Sequence, residues 1–182
     1  MSSAALILVR HAQPAIDERR PPPEWRLSEA GRAAAGALAE RLAAYAPAAA
    51  VASPEPKARD TGEIIAANFG LTVTPDAGFA EHHRRDLPFG AREDFETRMA
   101  AFFAAPKEPF FGGESGEAAR ARFAAALAGH TARPLLVATH GTILTLYLAP
   151  ILGLAPFVLW KSLRLPEAFV LDCAGKLLER IG

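Results

Sequence analysis

Ala4-Ala5-Leu6-Ile7-Leu8-Val9-Arg10-His11 is the stretch that decides how the rest of the chain reads. Its first six residues are apolar without alternation, which suits a strand buried on both faces of a parallel sheet. An arginine and a histidine then end it. Two further runs share the pattern: residues 48–52, followed by Ser53 and Pro54, and residues 135–138, followed by Thr139, His140 and Gly141. Helical patterns fall between and after these runs. Ser28 suits the cap of a helix whose Ala35, Leu38, Leu42 and Tyr45 recur on one face until Pro47 stops it. Further helices are expected over residues 57–69, closing on Gly70, over residues 93–103, from Ser115 onward, and just after Gly141. At the end, residues 169–173 and 176–181, separated by Ala174 and Gly175, read as a hairpin. Strand–helix alternation of this kind predicts an α/β three-layer sandwich, with a mainly parallel central sheet, helices on both faces and a C-terminal hairpin.

The 182 residues fit one domain over residues 1–182. Hydrophobic residues make up 51% and charged residues 22%, enough apolar material for a core. Lys and Arg number 20, as do Asp and Glu; this balance argues against nucleic acid or an anionic membrane as the main partner. A single cysteine, Cys173, excludes an internal disulfide and a thiolate metal cluster. No secretory signal is read at the N-terminus, and no apolar run nears the ~20 residues that span a bilayer. The expectation is a cytoplasmic protein. The sequence lacks a Gly-x-x-x-x-Gly-Lys loop, a Gly-x-Gly-x-x-Gly turn and a His-Glu-x-x-His helix, and the adjacent His82 and His83 make a poor metal pair. Neither a cofactor nor a metal is expected.

In open parallel sheets the ligand sits at the carboxyl ends of the strands. Those ends carry Arg10 and His11, Ser53 with Lys57 and Arg59 just beyond, and His140 with Gly141. Two histidines ending two strands, flanked by basic groups, suit a dianionic phosphate: arginine offers a bidentate fork and lysine a point charge. Backbone amides of the helix opening after Gly141 add partial positive charge. A neutral imidazole among them can attack phosphorus, and a carboxylic acid can protonate the leaving oxygen. Glu81 is the candidate acid. Taken alone, Lys57 and Arg59 read as a solvated helix start, and a histidine at one strand end as an ordinary hydrogen-bonded side chain.

These residues fall in blocks that resemble a known family. Leu8-Val9-Arg10-His11-Ala12-Gln13 is similar to the signature opening the histidine phosphatase superfamily, which contains the cofactor-dependent phosphoglycerate mutases. The likeness continues through Leu27-Ser28-Glu29-Ala30-Gly31-Arg32, through residues 53–61, through Glu81 and Gly113-Glu114-Ser115, to Thr139-His140-Gly141-Thr142. The resemblance implies that His11 is the nucleophile, Arg10 a phosphate ligand, His140 a second phosphate-binding histidine and Glu81 the proton donor. It also implies that Lys57 stands where most members have arginine, and that Gly141 and Thr142 belong to the phosphate site. Three positions depart from the family pattern: Ala12, Pro14 and Asp17. Pro14 removes a hydroxyl and a backbone donor. Asp17 places a carboxylate that repels phosphate unless it is turned away or paired with Arg19 or Arg20. Neither is counted in the site, and Arg59 is a candidate to supply the fork that Lys57 lacks.

The function expected is metal-independent hydrolysis of phosphate monoesters through a phosphohistidine on His11, with a small phosphorylated substrate as partner. Mutase-type transfer, a phosphoprotein substrate, and an inactive phosphate-binding module on the same fold stay open. Phe95, Phe102 and Phe103 are read as helix core, whereas Phe89, Phe110 and Phe111, beside Pro or Gly, are read as an apolar lip over the pocket.

Overall fold

A computed structural model describes residues 4–84 and 91–182. The three apolar runs become β1 (Ala4–Arg10), β2 (Ala49–Ala52) and β4 (Leu135–Thr139), and β3 (Val73–Pro75) is a short addition. With β5 (Glu167–Asp172) and β6 (Leu177–Ile181) they form one sheet in the order β3-β2-β4-β1-β5-β6. The β3–β2, β2–β4 and β4–β1 ladders are parallel, and β1–β5 and β5–β6 are antiparallel. The expected mainly parallel sheet with a C-terminal hairpin is therefore what the chain builds.

Side chains of β1 alternate between two cores. Ile7 and Val9 pack with Leu38 and Leu42 of α1 (Glu29–Arg41) and its end, and with Ile65 of α2 (Pro56–Ala67). Leu8 packs on the opposite face with residues of α3 (Arg92–Ala104), α4 (Gly116–Gly129), α5 (Gly141–Leu152) and α6 (Pro156–Ser162). This gives the third layer and explains why β1 is apolar throughout. Ser28 and Ser115 cap α1 and α4 through their hydroxyls, accepting from the amides of Gly31 and Ala118.

Two boundaries differ from expectation. The first helix stops at Arg41 instead of running to Pro47. A short 3-10 turn, Ala43–Tyr45, follows it, and Ala46 ends that turn at φ 39°, outside the right-handed helical region that a residue before proline avoids. The second ends at Ala67, where Leu71 N–H bonds Ala66 O and Gly70 adopts φ 67° to close the turn. No helix among the described residues is long and apolar enough to cross a membrane.

Candidate active site

The sheet order puts the chemistry-bearing strand ends side by side. Arg10 is in register with Thr139, and the ladder continues as His11 N–H donates to Thr139 O at 2.9 Å. On the other side of β4, Ser53 N–H donates to Ala138 O at 2.9 Å. His11 and His140 therefore meet, their ring centroids 5.2 Å apart and edge-on. Beyond His11 the chain is pinned twice. Ala12 N–H donates to Thr61 Oγ1 (3.0 Å), and Gln13 O approaches α1 so closely that a Cβ at Gly31 would lie 2.2 Å from it. Only glycine leaves that space.

His11 is set up as a neutral base. Its Nδ1 lies 2.8 Å from Ala12 O, and a carbonyl can only accept, so the proton sits on Nδ1 and the Nε2 lone pair is free of it. Burial pushes its pKa well below the ordinary 6.5, and His140, Lys57 and Arg10 add to the effect against the Ala12 bond. His140 is fully buried. Its Nε2 lies 2.8 Å from Ser53 Oγ and 3.3 Å from Glu55 Oε1, while its Nδ1 has no hydrogen-bond partner among the described residues. Burial drives His140 down to about 3, opposed by Glu81 and assisted by Lys57, Arg10 and Arg84.

Glu81 reaches the site as the cap of α5. Its carboxylate accepts from the amides of Thr142 (3.0 Å) and Ile143 (2.9 Å), and from His82 N–H (2.8 Å). The helix amides expected to address phosphate are thus taken by this carboxylate. Burial alone would raise the Glu81 carboxyl, but Arg84, His140 and the amides of His82 and Thr142 outweigh it and hold it at about 2. The segment carrying Glu81 is clamped from behind. Arg122 donates to Gly78 O, Ala80 O and Glu81 O and pairs with Glu114 at 2.6 Å, and Thr139 Oγ1 donates to Phe79 O. A Cβ at Gly113 would sit 1.9 Å from His83 O, so this block needs glycine where the segment crosses it.

Arg10 extends across the start of α5. Its Nη1 donates to Leu163 O at 2.8 Å, its buried Nε has no partner among the described residues, and a Cβ at Gly141 would come within 3.0 Å of that Nε. Lys57 turns inward, with Nζ 2.6 Å from Glu55 Oε2 and 3.0 Å from Pro22 O. Arg59 does not join it. Its guanidinium lies 3.6 Å from Glu63 and 4.0 Å from Asp60, and Arg59, expected to supply a fork, is not among the residues that line the cavity. Asp17 is paired with both Arg19 (3.1 Å) and Arg20 (3.6 Å), as its tolerance near an anion requires.

These groups surround a cavity of about 480 Å³. Arg10, His11, Glu55, Lys57, Glu81, Arg84, Gly141 and Thr142 line it on the polar side, and Pro14, Pro22, Pro23, Trp25, Phe95 and Trp160 on the apolar side. His140 lies behind this lining. Sequence reasoning does not single out Arg84 or Glu55. Arg84 donates to Thr142 Oγ1 and lies over the rings of Phe95 and Phe111; its position three residues after Glu81 is the one signal that could have found it. The expected lip is corrected as well. Phe111 is core, Phe110 is exposed away from the cavity, and Phe89 lies outside the described residues. The apolar wall comes from Trp25, Phe95 and Trp160 instead, the last two 5.6 Å apart and edge-on. Phe102 and Phe103 are core as expected. His82 and His83 diverge, one onto Glu114 O and the other onto the Glu114 carboxylate. No cluster of three or more potential metal ligands occurs among the described residues.

The chain matches the histidine phosphatase superfamily (branch 1) over residues 6–170. No curated protein sequence matches it. Among solved structures it is similar to TTHB049 from Thermus thermophilus, at 25% identity and a TM-score of 0.73, covering 97% of this chain and 98% of that one. It is also similar to mycobacterial glucosyl-3-phosphoglycerate phosphatase in complex with inorganic phosphate, at 25% identity and a TM-score of 0.69, over 92% and 89% of the two chains. Bacillus stearothermophilus YhfR shares the fold at 23% identity and a TM-score of 0.70, over 95% and 93%.

Proposed function

The chain belongs to branch 1 of the histidine phosphatase superfamily, and we propose that it hydrolyses phosphate monoesters, without a metal ion, through a phosphohistidine on His11. The observation that carries this reading is the His11 tautomer: with Nδ1–H bonded to Ala12 O, the Nε2 lone pair is available to attack phosphorus. Arg10, whose buried Nε has no partner among the described residues, and Lys57 hold the phosphoryl oxygens, and His140 backs His11 with its ring edge-on. Gly141 lets the Arg10 guanidinium lie across the helix start, and Thr142 fixes both Glu81 and Arg84 at the rim.

In the first step Nε2 attacks, the P–O ester bond breaks, and the leaving oxygen takes a proton from Glu81. In the second, water attacks phosphorus and gives its proton to the Glu81 carboxylate, and the P–N bond breaks to release phosphate. Glu81 at about 2 is ionised before substrate binds. A bound dianion beside it supplies the negative charge that raises its pKa, so Glu81 takes a proton from solvent as substrate binds, and it returns the proton won from water when phosphate leaves. The wall of Trp25, Phe95 and Trp160 favours esters with apolar leaving portions.

The test is a panel of alkyl and aryl phosphates of rising chain length, assayed with a chelator present. Turnover that survives the chelator and rises with apolar chain length is expected. Loss of turnover on chelation contradicts the metal-free mechanism. Phosphate binding without turnover of any ester leaves a binding module.

A further inference from the structure

Glu55 is the cap residue of α2, yet its side chain makes no bond to the helix amides it precedes. Prolines on both sides restrict its backbone, and its N–H is held by Ser53 Oγ at 3.2 Å. The carboxylate turns into the cavity instead. Oε2 takes Lys57 Nζ at 2.6 Å; Oε1 takes Glu81 N–H at 3.0 Å and stands 3.3 Å from His140 Nε2. These are an ammonium, a backbone amide and an imidazole nitrogen, the donor set an incoming phosphoryl group requires.

Lys57 explains why an anion is kept there. Its side chain is 8% exposed, and an ammonium so far removed from water needs a counter-charge. Glu55 is that counter-charge.

We propose that Glu55 is a specificity-determining residue, an internal anion that competes with phosphate for its own donors and so weakens binding of inorganic phosphate. This rests on the phosphatase reading of the pocket and goes beyond it. An ester offsets the competition with the contact its leaving portion makes to Trp25 and Phe95, whereas free phosphate has no such contact. Glu55 thereby favours release of the product, restoring the Lys57 pair as phosphate departs.

The experiment is calorimetric titration of inorganic phosphate into wild type, Glu55→Gln and Glu55→Asp, which needs no turnover. Glu55→Gln keeps the shape and loses the charge; it should bind phosphate at least tenfold more tightly, with Glu55→Asp between it and wild type. Thermal unfolding of Glu55→Gln should also show a larger upward shift with phosphate than wild type, because phosphate then supplies the counter-charge to Lys57 that Glu55 provided. If Glu55→Gln folds only with phosphate present, that dependence is the same result in stronger form. Unchanged or weaker phosphate binding in Glu55→Gln overturns the proposal, since a residue with a merely structural role does not tighten a ligand when its charge is removed. Failure of all three proteins to bind phosphate overturns the phosphatase reading itself, and the role of Glu55 with it.

Discussion

Lys57 and Arg59 sit two positions apart on the first turn of α2, and residues at that spacing leave a helix in different directions. Lys57 points into the cavity and Arg59 toward Glu63 on its own helix. Lys57→Ala should therefore cost about 2–4 kcal/mol in transition-state stabilisation, the range for losing one preorganised donor. Arg59→Ala should cost within about 0.5 kcal/mol, as for an ordinary surface change. Steady-state kcat/KM on one aryl ester ranks them, and the reverse order would mean that Arg59 swings in to hold phosphate. Arg10, His11, Lys57, Glu81 and His140 are legible in the sequence because each follows a strand or falls in a family block. Glu55, Arg84 and Arg122 are not. Their roles depend on where a long side chain ends after the backbone has folded, and of the three only Arg84, three residues after Glu81, leaves a trace in the spacing.

Helix α5 begins at the junction between fold and chemistry. Its first amides are satisfied by Glu81, a residue from a distant segment, so helix capping and placement of the acid are one arrangement. Glu81→Gln removes the proton and keeps one of the two acceptor oxygens, with a carboxamide NH2 standing where the other was. It should therefore reduce turnover of alkyl phosphates, whose leaving groups are poor, far more than that of aryl phosphates with good ones. Equal losses on both would remove Glu81 as the acid and leave it a cap. At this scale the long buried runs and the capped helices are plain in the sequence. It does not reveal β3, whose Val73-Thr74-Pro75 is too short for any period to register, or α6, a seven-residue helix opened by Pro156. Both lie next to elements that the pattern does show, and tertiary contacts rather than local pattern hold them in place.

Across the whole molecule, the buried site makes stability depend on pH with a definite sign. Unfolded, His11 and His140 take up a proton near 6.5; folded, both stay neutral far below that, so the unfolded chain binds more protons and stability falls as pH drops below about 6.5. Glu81 adds a second stage. Its contribution is complete above the unfolded value of 4.5 and is lost as pH falls toward its folded value of about 2. Each group costs up to about 1.4 kcal/mol per pH unit within its own window. Thermal midpoints should be level above neutrality, fall below pH 6.5 and steepen below 4.5. In Glu81→Gln the steepening should lessen, what remains coming from Asp76 and Glu114, whose carboxyls are also held below their ordinary values by His130 and Arg122. A variant curve parallel to wild type below 4.5 would show that the carboxylate is not held in its ionised form. The central claim, a covalent phosphoryl group on His11, is tested most directly by rapid quench of the intact protein with a labelled aryl phosphate. The account predicts a chain heavier by one phosphoryl group, with the label acid-labile, base-stable and mapped to His11, and no such species from His11→Ala. Label on another residue, or turnover by His11→Ala at the wild-type rate, would contradict it.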